Sequence, residues 1–300
     1  MLEIKNVSKK FKNFTAVNDI NYSLEKGKML GFLGRNGAGK TTTFRMILGV
    51  TKPTKGTIFF NNNKVDKSVY NHIGYLPEER GLHIKYKVIE ELEYMAKLKG
   101  LKKKDIRKKI DYWLKEFDLE SKRNEKIESL SKGNQQKVQL LVSILHDPEL
   151  IILDEPFSGL DPINVELLKA SIISLKNRGK TIILSTHRME HVEELCDEII
   201  ILNRGNSILQ GNINSIKSNF VYKNVRINTN ADITKILKKH SVLEYQNSSN
   251  NNYYFKIEED TKMQSILSDL ILKNIEIKNL EITEPTINQI FVEKVGGSDE

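Results

Sequence analysis

The stretch MLGFLGRNGAGKTTTFRMILGV, residues 29–50, limits what this chain can fold into more than any other. A short apolar run enters a loop that carries Gly34, Gly37 and Gly39, and a helix-forming run leaves it. The loop fits G-x-x-x-x-G-K-[ST] at every position and sits in the strand–loop–helix setting the motif requires. A buried strand behind the loop and a helix in front of it predict an α/β domain with a parallel sheet.

The chemistry of the loop follows from its residue types. Glycines let the backbone bend until several N–H groups point inward at phosphate oxygens. The helix that follows adds the positive end of its dipole. Asn36, Gly37 and Gly39 are the loop's candidate phosphate-binding positions. Lys40 reaches the β- and γ-phosphates, Thr41 can ligate Mg²⁺, and Thr42 can bond the α-phosphate.

A second element agrees with the first. LIILDE, residues 150–155, ends a buried strand in two carboxylates, and isolated charges at such a place are costly without a cation. Asp154 is placed to hold Mg²⁺, and Glu155 to activate or position the attacking water. His187 closes the next strand in LSTH, which suits a hydrogen bond to the γ-phosphate. The other five histidines have no comparable setting.

The rest of the chain organises around these motifs. Residues 2–33 alternate apolar and polar positions, break at Gly27, and read as antiparallel strands. GTIFFNNNKV reads as a hairpin turned by asparagines. VIEELEYMAKLKG, IRKKIDYWLKEFDL and QQKVQLLVSILHD have helical spacing and form a helical subdomain over about residues 80–146. Strand–helix alternation then resumes from Glu149 to Gly211. The pattern relaxes near Lys217–Asn224, which divides the chain into 1–217 and a small α+β domain, 218–300. That domain reads as strand 222–229, helix 231–239, strands 242–248 and 253–257 joined by NSSNNN, helix 261–272, strand 274–283 and helix 286–295. The βαββαβ order predicts a ferredoxin-like arrangement.

Composition excludes some classes. No apolar run approaches the roughly 18 residues of a membrane span, and the N-terminus lacks the basic start and long apolar stretch of a signal peptide. The expected location is therefore the cytosol. Cys196 is the only cysteine, so no internal disulfide forms. Much of the net charge of +8 lies in KLKGLKKKDIRKKI, residues 97–110. No aromatic residues interleave with these lysines as a base-stacking surface requires, so the run reads as a solvated helix face.

Together GRNGAGKTT, LSKGNQQ, LIILDEP, FSGLD and STH resemble the ATP-binding cassette (ABC) ATPases in order and approximate spacing, over roughly residues 1–215. LSKGNQQ resembles the family signature, usually LSGGQ. The resemblance implies that Ser131 and Gly133 touch the γ-phosphate of ATP bound to a partner chain, with Asp161 of SGLD across the same dimer seam. It implies that Phe11, with Phe14 as a rival, stacks on adenine. Lys132 and Asn134 depart from the usual signature. In GYLPEERGL, Glu78 stands where the family has a glutamine that offers a neutral carbonyl to Mg²⁺. Glutamate can still ligate the metal, but adds negative charge near the γ-phosphate.

LPEERGL with LSKGNQQK looks like the ATPase subunits of drug-, lipid- or sodium-exporting systems that use a separately made permease. The resemblance thus implies an ATP- and Mg²⁺-dependent motor, dimeric when ATP is bound and docked on the cytoplasmic face of the membrane through its permease. The competing reading is a soluble ABC ATPase acting on nucleic acid or the ribosome. Such translation factors usually carry two cassettes per chain, while this chain has one P-loop. Repair clamps separate the P-loop from the Asp–Glu strand by a long coiled coil, and residues 43–149 hold no sustained heptads. A non-hydrolysing regulatory cassette conflicts with the presence of Lys40, Asp154, Glu155 and His187.

Overall fold

Alternation of apolar residues drives the first pairing of the chain. In the computed structural model, β1 (Leu2–Phe11) and β2 (Phe14–Leu24) run antiparallel from Leu2↔Leu24 to Phe11↔Phe14 and bury Leu2, Ile4, Val7, Val17, Ile20 and Leu24. β3 (Met29–Leu33) is buried along its whole length and runs through the glycine loop into α1 (Lys40–Ile47). β4 (Lys55–Phe60) returns to pair with β1, and β5 (Asn63–Lys64) closes a hairpin on it. The turn between them uses Asn61 and Asn62 at φ 48° and 64°, a left-handed geometry that asparagine tolerates well. These strands make one antiparallel sheet, in the order β2-β1-β4-β5.

β6 (Ile73–Leu76) leads into the helical stretch, α2 (Val88–Leu98), α3 (Lys103–Glu116) and α4 (Lys132–Ile144). Their apolar faces meet through Val88, Leu92, Ile106, Ile110, Val138 and Leu141, all buried. The chain then alternates as β7 (Leu150–Asp154), α5 (Pro162–Asn177), β8 (Thr181–Thr186), α6 (Met189–Leu195), β9 (Glu198–Asn203) and β10 (Asn206–Asn212). The second sheet has the order β10-β9-β3-β8-β7-β6; all its pairings are parallel except β10 with β9.

β3 lies between β8 and β9, with Leu33 opposite Thr186, and β8 in turn sets Ser185 opposite Asp154 of β7. The carboxyl ends of three parallel strands therefore meet beside the glycine loop, the place where open α/β sheets bind ligands. Phe44 of α1 stands edge-on to Phe32 of β3, centroids 5.3 Å apart. Each fully buried isoleucine of β7 and β8 contributes roughly 1.5–3 kcal/mol.

The structure describes residues 1–79, 81–220, 222–248, 251–258 and 260–296. The chain divides into two units, Met1–Asn212 and Ile213–Glu300. The second unit comprises α7 (Ile213–Ser218), β11 (Lys223–Thr229), α8 (Thr234–Lys239), β12 (Leu243–Ser248), β13 (Asn252–Ile257), α9 (Asp260–Leu272), β14 (Ile277–Thr283) and α10 (Ile287–Gly296). Its sheet has the order β12-β13-β11-β14 with every pairing antiparallel, the ferredoxin-like arrangement. Val225, Ile227, Tyr253 and Phe255 pack on Ile236, Leu237, Ile266 and Leu270 from α8 and α9. Ser249 and Asn250 of the expected NSSNNN turn lie outside the described residues.

Candidate nucleotide site

Gly34 (φ 150°) and Gly39 (φ 107°) fix the loop by close approach as well as by backbone conformation. A Cβ on Gly34 would stand 2.6 Å from the Leu202 carbonyl oxygen, and one on Gly39 2.5 Å from that of Ala16. β9 and β2 thus press on the loop from two sides, and only glycine admits them. The first N–H groups of α1 have no carbonyl of their own helix to bond, and the residues that carry them, Lys40, Thr41 and Thr42, line a cleft. That cleft, about 260 Å³, is lined by Phe14, Ala16, residues 35–42, Glu78, Asp154 and Glu155. A larger cavity of about 740 Å³ lies between the end of α1 and the β4–β5 hairpin and carries none of the motif residues.

Polar groups converge on the cleft in a connected set. Lys40 Nζ donates to the Gly34 carbonyl at 2.6 Å and lies 3.7 Å from Glu155 Oε1. Glu155 Oε2 is 3.0 Å from His187 Nδ1, while Oε1 is buried without a hydrogen-bond partner. Glu155 itself has φ 49°, a conformation that costs a non-glycine residue roughly 1–2 kcal/mol. It turns the chain sharply just past the end of β7. Asp154, 1% exposed, accepts a hydrogen bond from Thr41 Oγ1 at 3.0 Å through Oδ2, and another from Ser185 Oγ through Oδ1. Tyr75, half-buried nearby, has its hydroxyl pushed up to about 12 by burial and by the Asp154 charge.

The residues present fit ATP and a hard cation. The buried Asp154 carboxylate is bonded by the neutral hydroxyls of Thr41 and Ser185, and Glu155 Oε1, 3.7 Å from Lys40 Nζ, accepts no hydrogen bond, so both acids can take a cation nearby. Thr41, Asp154 and Glu78 offer only oxygen, the donor type Mg²⁺ takes, and they leave most of its coordination to phosphate and water. Glu78 is exposed, and its loop is anchored from α4, where buried Gln139 donates to the Pro77 carbonyl at 3.1 Å and to that of Glu79 at 3.4 Å.

Ser131, Gly133 and Asp161 do not line the cleft. Ser131 caps α4, its Oγ accepting from the Asn134 N–H at 3.3 Å. Asp161 caps α5; the side chain and backbone of Asn164 both donate to it and hold its carboxyl below the usual range. Gly133 lies against that same Asn164.

Phe11, the expected adenine partner, is also outside the lining; Phe14 takes its place. β2 is the strand pressed against Gly39, through Ala16, so its first residues face the cleft. Phe11 ends β1, with the Lys9 ammonium 5.0 Å from its ring centroid. Gln139 lies outside the motifs, and Ser185 stands in STH with no role assigned there: their roles come from packing of α4 on the Glu78 loop and from the β7–β8 register.

Residues 17–158 match the family described as ABC transporter, and residues 211–295 match the C-terminal domain of DrrA1-3-like ATP-binding proteins. Over 296 residues the chain is 46% identical to the uncharacterized ABC transporter ATP-binding protein YhaQ of Bacillus subtilis, covering 99% of both. The chain belongs to the ABC transporter ATP-binding subunits. This ATP-binding subunit is also 30% identical over 304 residues to the bacitracin transport ATP-binding protein BcrA of Bacillus licheniformis, covering 99% of this chain and 98% of that one. A solved dimer of the ATP-binding cassette MJ0796, in a post-hydrolysis state with ADP and Pi, superposes with a TM-score of 0.65 at 26% identity, over 71% of this chain and 99% of that one. The subunit binds ATP, and its reaction is ATP hydrolysis.

Proposed function

We propose that this ATP-binding subunit is the motor of an exporter-type system, and that it drives a separately made permease through ATP-dependent, head-to-tail dimerisation. One observation carries the reading. The groups that would act on a bound nucleotide fall into two sets: Lys40, Asp154 and Glu155 at the cleft with His187 bonded to Glu155, and Ser131, Gly133 and Asp161 outside it. A second copy would bring the two sets together. The kinship with a bacitracin transport protein supports a transport motor, the 35% identity over 214 residues to the Nod factor export ATP-binding protein I of Ralstonia nicotianae supports export, and the dimeric cassette with ADP and Pi supports the pairing.

Within that reading the loop residues Asn36, Gly37, Gly39 and Thr42 bind the phosphates, and Lys40 reaches the β- and γ-phosphates. Phe14 is the better adenine partner, since it lines the cleft. Thr41, Asp154 and Glu78 would hold Mg²⁺, which when bound neutralises charge on the phosphates. Glu155 takes the proton of the attacking water at its carboxylate. His187 orients that carboxylate and hydrogen-bonds the γ-phosphate. Ser131 and the Gly133 N–H cap the γ-phosphate of the partner copy, where unpaired donors and the dipole of α4 favour negative charge.

The test is purification from solubilised membranes. A multi-span permease should copurify, and reconstitution with it should change the ATPase rate. Stimulation by RNA or ribosomes, with no membrane partner, would instead favour the soluble reading.

A further inference from the structure

Ser185 opens STH, a motif in which only His187 has a role so far, yet it touches both acids. Its side chain is fully buried on β8, directly across the ladder from Asp154. Its Oγ donates to Asp154 Oδ1, and the same oxygen accepts from the Glu155 N–H at 3.0 Å. One hydroxyl thus bridges the side chain of one acid and the backbone of the next.

We propose that Ser185 is a positioning residue for the cation and for the water-activating carboxylate. This rests on the reading of Asp154 and Glu155 given above. The bond to Oδ1 fixes the plane of the Asp154 carboxylate, so Oδ2 is held toward Thr41, 3.0 Å away, where the cation would be ligated. The bond from the Glu155 N–H holds the chain at φ 49°, and that turn aims the Glu155 side chain between Lys40 and His187. A buried carboxylate with one fixed oxygen and one free for the metal is preorganised. With both oxygens free to rotate, it is not.

The geometry also says why a substitution should leave the fold intact. The Glu155 N–H has a second acceptor, the Ser185 carbonyl at 3.2 Å, and the β7–β8 ladder is made by backbone groups. Removing the hydroxyl deletes the donor to Asp154 without deleting a strand pairing. Ser185 is fully buried, so two replacements are needed. Threonine keeps the hydroxyl and adds a methyl; cysteine keeps the size but bonds weakly.

The decisive measurement is Mn²⁺ binding by electron paramagnetic resonance, with a non-hydrolysable ATP analogue bound to the full chain. Ser185→Ala should raise the Mn²⁺ dissociation constant by about tenfold or more, the usual cost of losing a partner of a metal ligand. Analogue binding without metal should stay within about twofold, and kcat should fall. Ser185→Thr should restore Mn²⁺ affinity. If the threonine variant does not fold, Ser185→Cys decides: weak Mn²⁺ binding like that of alanine supports the role, and wild-type binding overturns it. An alanine variant with wild-type Mn²⁺ affinity also overturns it. Asp154→Asn is the control for the underlying reading: unchanged Mn²⁺ affinity there would mean that Asp154 is not the ligand, whatever Ser185 does.

Discussion

Lys40 Nζ lies 3.7 Å from Glu155 Oε1, and both side chains are only 7% exposed. Each charge therefore depends on the other or on a ligand, because a lone buried charge is costly. The two substitutions should separate cleanly. Glu155→Gln keeps the shape and removes the charge that activates water. It should retain ATP binding, lose turnover by about 10²–10⁴-fold, and accumulate as an ATP-bound dimer on sizing. Lys40→Ala should abolish the ATP-dependent dimer and lower the melting temperature, since it leaves Glu155 buried beside no cation. Turnover within a few-fold of wild type in Glu155→Gln would assign the water to another residue.

Gly133 and Asn164 give a second prediction. A Cβ on Gly133 would lie 2.9 Å or less from Oδ1, Cγ and Nδ2 of Asn164. Asn164 is in turn held to Asp161, its Nδ2 donating at 2.5 Å and its backbone N–H at 3.0 Å. Gly133→Ala should push the amide away and strip Asp161 of one donor. The expected cost is about 1 kcal/mol, the usual worth of a helix cap, together with weaker ATP-dependent dimerisation. In an Asn164→Ala background the same substitution should cost less, because the crowding atoms are gone. Equal costs in both backgrounds, measured by urea unfolding, would mean that the two residues do not interact.

His146 sets a pH dependence away from the site. Burial, with help from the Lys99 charge, pushes its imidazole down to about 4, against the bonding of the Ile73 backbone and the Asp147 charge; Lys109 adds to the depression. Between pH 4 and its ordinary value of 6.5 the unfolded chain takes up a proton that the native chain refuses. Stability is therefore fully present above pH 6.5 and falls as pH drops through that window. His146→Gln should lose less stability than wild type between about pH 7 and 5 in urea titrations. Parallel losses in the two proteins would show that carboxylates alone carry the effect.

How much of this was legible in the sequence differs by element. Gly34 to Thr42 and Leu150 to Glu155 announce themselves, because strand, loop and charge chemistry all point the same way. β10 was not read. Its turn uses Arg204 and Gly205, both at positive φ, and arginine is not a residue that signals such a turn. α7 carries no such signal either, since INSIKS is short and holds polar residues poor at forming helices. Spacing does not tell Phe14 from Phe11; that Phe14 lines the cleft follows from β2, through Ala16, pressing on Gly39. Ser185 stands in STH, but its contact with Asp154 depends on register across β7 and β8, which the sequence pattern does not contain.

Mixing two crippled chains tests whether Ser131 and Gly133 act on their own P-loop or on a partner's. Lys40→Ala spoils the cleft of its chain, and Ser131→Arg spoils the start of α4 by bulk and charge. Each variant alone should form no ATP-dependent dimer. In a mixed dimer one composite site carries both lesions. The other pairs the intact Lys40 of the Ser131→Arg chain with the intact Ser131 of the Lys40→Ala chain. Mixing should therefore rescue nucleotide-dependent dimerisation, and part of the ATPase activity where one site fires alone. If α4 served only its own cleft, no mixed species would hold an intact site. Failure of rescue, with subunit exchange shown separately by labelled chains, would overturn the head-to-tail arrangement, and with it the account of why Gly133 and Asp161 stand outside the cleft that holds Lys40.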